Sequence, residues 1–256
     1  MKKILAGLIL LTATFSVNAD NAWGNYHWAS TTTPIELQVI DSTTDAWRDI
    51  LILSLSEWSM SNVIGVAVTS TDNKARVRKR CKAVTGKMRV CNAEYGNTGW
   101  LGLAGISIDS NSHIVSGYAK LNDTYSTVWE DAAFKNHVMC QEIGHVFGLG
   151  HTSIDGSSQE TCMDYSRDLL SQWPNAHDYT QLELIYGHLD SYDTVDSGDA
   201  VDDDTGGGCN APAGKGCNKI EPFGLLVSRT SVSEVWINRN NIGGYNITHI
   251  YLVDKH

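Results

Sequence analysis

The sequence predicts an α+β fold, strands with two long helices and a small β appendage at the C-terminal end. Three observations point there. Alternating apolar runs recur between residues 34 and 121, two segments (46–58 and 130–147) carry helical spacing, and the composition shifts after Asp190. With 256 residues, 42% of them apolar and 19% charged, the chain can bury a core in one domain plus a small appendage.

The first segment reads as an address. Lys2 and Lys3 precede an apolar run from Ile4 to Phe15, and Val17 and Ala19 supply the small residues of a signal-peptidase site. Residues 1–19 therefore read as a signal peptide cleaved after Ala19, which implies a secreted chain, extracellular or periplasmic. The run is too short to span a bilayer, and no later stretch is long enough, so no membrane span is expected.

Pro34 to Ile40 alternates as a strand does. Ala46 to Trp58 follows with Trp47, Ile50, Leu51, Leu53, Leu55 and Trp58 at helical spacing and Asp45 as its cap. Val63 to Thr69 is a second strand. Cys81 and Cys91 bracket a segment that reads as a hairpin turning at Thr85-Gly86. Leu101 to Ile108 and His113 to Leu121 read as strands joined through residues 109–112. Glu130 to Phe147 is a helix ended by Gly148, and Tyr179 to His188 is another, with Asp178 and Gln181 at capping-box spacing.

Three units follow the signal peptide: a domain over 20–190, an acidic Gly-rich linker over 191–219, and a β-hairpin segment over 220–256. The linker carries Asp193, Asp196, Asp199 and Asp202 to Asp204 before Gly206 to Gly208. Clustered carboxylates suit calcium, but no EF-hand spacing is present, and a solvated linker is the simpler reading. The stretch from Phe223 to Val253 alternates in patches around turn-like residues 238–244.

The net charge of −10 gives no electrostatic footprint for nucleic acid or an anionic membrane. The six cysteines, in an exported chain, read as disulfides, and their clustering favours Cys81–Cys91, Cys140–Cys162 and Cys209–Cys217. No C-x-x-C pair is present, which argues against a cysteine zinc site.

The informative segment is NHVMCQEIGHVFGLGH, residues 136–151. Glu142, His145, Gly148 and His151 follow E-x-x-H-x-x-G-x-x-H. Helix residues four apart lie on one face about 6 Å apart, so Gln141 and His145 can share an ion. Glu142 then sits where a carboxylate can take a proton from water, Gly148 turns the chain, and His151 returns as a further ligand.

With Thr161-Cys162-Met163-Asp164-Tyr165 following, the sequence resembles the metzincin zinc endopeptidases, in their matrixin-like secreted bacterial branch, whose motif is H-E-x-x-H-x-x-G-x-x-H with a Met-turn. The resemblance spans roughly residues 24–191 and is specific over 136–165. It implies a five-stranded twisted mixed sheet in a metzincin-like catalytic domain and a zinc ion (Zn2+) on Gln141, His145 and His151. It also implies Met163 as a hydrophobic floor, Glu142 as general base, and a monomer acting on protein or peptide substrates. It implies, too, that Tyr165 contacts the metal or the oxyanion, and that the strand over 99–108 is the edge to which a peptide adds.

Gln141 stands where the family has histidine, and three accounts are open. Its carbonyl oxygen binds zinc, a neutral but weaker donor than imidazole; another residue such as Tyr165 completes the site; or the site is degenerate and the protein is a silent peptide- or surface-binding pseudopeptidase. His137 is no substitute, because eight residues of helix put it about 12 Å from His145 along the axis. His27, His113, His177, His188, His249 and His256 have no ligand spacing. A Cys140–Cys162 bridge would hold the helix beside Gln141 to the turn at Met163. No sizeable prodomain fits before the first strand, which leaves export in active form or a block by a short N-terminal segment.

Overall fold

The computed structural model describes residues 21–195 and 223–253. The expected signal peptide, the Cys209–Cys217 pair and most of the acidic linker lie outside them. In chain order the elements are β1 (His27–Trp28), β2 (Ile35–Ser42), α1 (Asp45–Trp58), β3 (Ile64–Thr71), α2 (Ala75–Arg80), β4 (Lys87–Ala93), β5 (Trp100–Ile108) and β6 (His113–Asn122). They continue with α3 (Ala132–Val146), α4 (Ala176–Tyr186), β7 (Leu225–Arg229), β8 (Ser233–Arg239) and β9 (Tyr245–Leu252).

The α+β architecture is as expected, but the sheet is larger than five strands. Its order is β3-β2-β4-β6-β5-β9-β8-β7, with β1 pairing on β6 as the ninth strand. β3, β2, β4 and β6 run parallel, whereas β5 turns back beside β6 and the strands beyond it are antiparallel. The C-terminal strands are thus part of the main sheet. β9 pairs along β5 from Trp100↔Leu252 to Ile108↔Tyr245. Ile247 and Tyr251 hold it there, because both are buried in the principal core; removing a large apolar side chain from water contributes about 1.5–3 kcal/mol.

The helical stripe of α1 buries Trp47, Leu51, Leu55 and Trp58. Trp58 also donates from its indole nitrogen to the Cys140 carbonyl at 3.1 Å, which fixes α3 against α1. Thr44, not Asp45, occupies the cap position of α1; Asp45 is the first helical residue and pairs with Arg48 one turn on, at 2.6 Å. In α4 the cap is Asn175, and Asp178 is its reciprocal partner in the capping box.

The Cys81–Cys91 disulfide is present, but the segment it closes is no strand hairpin. Cys81 ends the short basic helix α2 with φ 46°, and only Val84 and Lys87 bridge before β4 begins its parallel pairing. The helix ARVRKR buries no residue and so has no apolar stripe by which to be read. Among the described residues no helix is long and apolar enough to cross a membrane. The two disulfides fit an oxidising, extracellular setting.

Candidate metal centre

Helix α3 is capped by Asp131, whose carboxylate accepts from the amides of Ala133 and Phe134. Its C-terminal half, residues 137–146, is buried throughout. The helix stops at Phe147, and Gly148 takes φ 88° beneath the N-terminal segment, where a Cβ would fall 1.9 Å from the Tyr26 carbonyl oxygen. Only glycine allows both the left-handed turn and this approach. His151 therefore returns toward His145, with ring centroids 4.6 Å apart.

The turn over residues 161–165 lies under the helix. A Cβ at Gly144 would be 2.5 Å from the Met163 sulfur, so the glycine lets the methionine pack beside His145. The Cys140–Cys162 disulfide ties the helix to this turn. Gln141 reinforces the tie, since its Nε2 donates to the carbonyls of Cys162 (2.9 Å) and Asp164 (2.6 Å), on either side of Met163. Its Oε1 is buried and has no hydrogen-bond partner.

A third imidazole joins from the far end of the chain. His249, on β9 opposite Ala104 of β5, stands with its ring centroid 3.9 Å from that of His145 and 4.7 Å from that of His151. His145, His151 and His249 each offer a ring nitrogen within 4.8 Å of the others. The Tyr165 hydroxyl bridges His151 Nε2 and His249 Nε2, at 2.9 Å from each. No spacing rule reaches from 151 to 249. The signal in the sequence was the alternation itself, which puts His249 on the face that Ile247 and Tyr251 bury.

The electrostatics follow from burial. Burial holds His145 down to about 4, and His151 and His249 fall well below the usual imidazole value through burial first and neighbouring imidazoles second. His145 Nδ1 donates to the Leu149 carbonyl at 2.8 Å, so its Nε2 carries a bare lone pair without a partner. Both Glu142 oxygens are buried and unpartnered, and burial raises that carboxyl well above its usual range. His249 Nδ1 lies 3.6 Å from Glu142 Oε2.

Buried lone pairs on His145, Glu142 and Gln141, all unsatisfied and clustered on one helix, are costly unless a cation or water compensates them. Three neutral imidazoles are a suitable donor set for a borderline divalent metal such as zinc. The residues present therefore fit a metal ion, and Gln141, Glu142, His145, His151, Met163 and Tyr165 lie around the place where α3 meets the turn over residues 161–165. His137 is not, because it is buried elsewhere and donates from Nδ1 to the Ser171 carbonyl.

Two walls close the centre. The outer edge of β5, where an extended peptide was expected to add, is paired instead with β9. On the other side Trp23 sets its indole edge-on to His145 and His249, at 5.7 and 6.5 Å between centroids. The Trp23 amide donates to Gly148 O and that of Gly150 to Asn21 O, so the N-terminal segment is strapped across the end of α3. In comparisons with known proteins, no family model and no curated protein matches this chain.

Proposed function

We propose that this chain is a secreted zinc-dependent endopeptidase of metzincin-like design, in which His145, His151 and His249 hold the metal. The observation that carries the reading is the convergence of three neutral imidazoles beside a buried Glu142 side chain whose oxygens have no hydrogen-bond partner. Gln141 then serves the turn under the site through its amide nitrogen, and the histidine absent at that position is replaced from β9.

When bound, zinc would supply Lewis acidity, polarising the scissile carbonyl and making water easier to deprotonate. Glu142 accepts the proton of the attacking water and returns it to the leaving amine nitrogen. Its raised affinity for a proton suits that exchange, because a base that ionises too easily holds the proton weakly. Tyr165 can donate from its hydroxyl to the oxygen that gains charge as water adds. Substrate would enter by displacing the segment over residues 21–26, since β9 already occupies the β5 edge.

A second reading, a silent peptide- or surface-binding protein on the same scaffold, is favoured by one observation. Glu142 is 0% exposed, with β9 paired where a peptide would add. The discriminating experiment is cleavage of an unfolded protein by the purified chain with zinc in excess, alongside Glu142→Ala, Trp23→Ala and a chelator control. Cleavage that Glu142→Ala and chelation abolish, and that Trp23→Ala accelerates, supports the peptidase. Zinc binding without cleavage in either the native or the Trp23→Ala chain supports the silent protein.

A further inference from the structure

A second group of side chains that could hold a metal lies at the start of β6. Asp190, just beyond α4, is its hub. Asp190 Oδ1 is 3.4 Å from His27 Nε2, 3.5 Å from His113 Nε2 and 3.5 Å from His188 Nε2. His27, His188 and Asp190 each offer one ligand atom within 4.8 Å of the other two. For bonds of about 2.0–2.1 Å in a tetrahedral site, neighbouring ligand atoms stand about 3.4 Å apart. The spacings around Asp190 Oδ1 have that length.

The tautomers make the case stronger than the spacing does. His27 Nδ1 lies 2.9 Å from the Asn25 carbonyl, which can only accept, so Nδ1 bears the proton and the Nε2 of the neutral ring is a bare lone pair. The Tyr192 hydroxyl gives its proton to Asp109 Oδ2 and therefore accepts from His113 Nδ1 at 2.6 Å, as it does from Asn111 Nδ2 at 3.0 Å. That leaves His113 Nε2 bare as well. Two imidazole nitrogens thus face one carboxylate oxygen, an arrangement that needs positive charge, either a second proton on each ring or a cation between them. Each ring is turned by a hydrogen bond on its other nitrogen, the pattern that orients metal-bound histidines. The carboxylate is oriented too, because its Oδ2 accepts from the Ser30 amide at 2.9 Å.

We propose that His27, His188 and Asp190 form a second site for a divalent transition-metal ion of the zinc class, with His113 Nε2 3.5 Å from the same carboxylate oxygen. Two imidazole nitrogens and one carboxylate oxygen are a suitable donor set for such an ion. The ion joins β1 to the segment that follows α4. The same join is reinforced by Asp190 N–H to Ser30 O at 2.8 Å and Thr194 N–H to Ala29 O at 2.9 Å. The neighbouring Trp28 donates from its indole to Val146 O at 3.0 Å, so the clamp sits directly behind the end of α3.

The test counts metal without using activity. In the full chain carrying His145→Ala and His151→Ala, with folding checked by circular dichroism, one equivalent of zinc should remain by native mass spectrometry. Cobalt(II) in its place should give the visible bands of a tetrahedral ion. Adding His188→Ala, whose side chain is 49% exposed and so not needed for packing, should weaken that ion by about 100-fold or more. In the otherwise native chain, Asp190→Asn should lower the zinc count by one equivalent, which covers the case in which the double variant does not fold. A folded double variant that binds no cobalt, or a count unchanged by Asp190→Asn, would overturn the proposal and leave imidazolium–carboxylate pairing as the account of the cluster.

Discussion

Gly102 of β5 lies directly against Glu142 of α3: a Cβ placed on Gly102 would fall 2.4 Å from Glu142 Oε1. The strand has no side chain there, and the carboxylate occupies the space. Gly102→Ala must therefore push the carboxylate aside or open the helix from the sheet. On the proposed reading, peptidase activity should fall by roughly 10-fold to 100-fold, the size of the loss when a catalytic group is displaced by about an ångström, while bound zinc should stay near the native amount. Parallel metal analysis and kinetics check this; a zinc count that fell with the activity would make the effect one on the metal centre itself.

Gln141 acts through its amide nitrogen on both sides of Met163. Gln141→Leu keeps the volume and removes the donor, leaving the buried Cys162 and Asp164 carbonyls short of a partner. The expected loss is about 2–4 kcal/mol of folding stability, measured by urea denaturation. A variant as stable as the native chain would mean that the amide contributes nothing to the turn.

The Cys140–Cys162 bridge closes a loop of 22 residues in sequence separation. Replacing both cysteines by alanine should cost about 3 kcal/mol, and zinc affinity should fall with it, because the helix and the turn would no longer be held in register. Calorimetric unfolding and competition with a zinc chelator read the two effects separately. The bridge pairs as the clustering of cysteines suggested.

Lys120 on β6 holds its ammonium 4.7 Å from the Tyr118 ring and 5.8 Å from that of Tyr95. Burial lowers its pKa from 10.5 to about 8. Between those values the unfolded chain binds more protons than the folded one, so the penalty is full below pH 8 and fades as the pH rises toward 10.5. Lys120→Met should stabilise the protein at pH 7 by about 1 kcal/mol, the aromatic contacts offsetting part of the burial cost. Denaturation of both chains at pH 7 and pH 10 tests the sign; a gain that grew with pH would contradict it.

What could be read beforehand follows the range over which each pattern acts. The helix that carries Gln141, Glu142 and His145 and the reversal at Gly148 are local features, each legible from a few neighbouring residues, whereas the turn at Met163 was read through the family resemblance. The strands of β2, β3, β5 and β6 were legible from alternation, with ends displaced by one or two residues. Alternation says that a strand has a buried face, and not which strand it joins; that is why β9 was read as an appendage although it lies beside β5. His249 was missed for the same reason. His27, His113 and His188 were likewise passed over because they approach Asp190 only after folding.

The pairing of β9 with β5 also sets an order of assembly. The strand that brings His249 to the centre follows His145 and His151 by about a hundred residues, so those two are synthesised first. A nascent chain that has not yet added β9 to the sheet holds Glu142 and two of the imidazoles but lacks the third. On the proposed reading, metal capture waits for that strand, and hydrolytic capacity arises only once it has paired with β5.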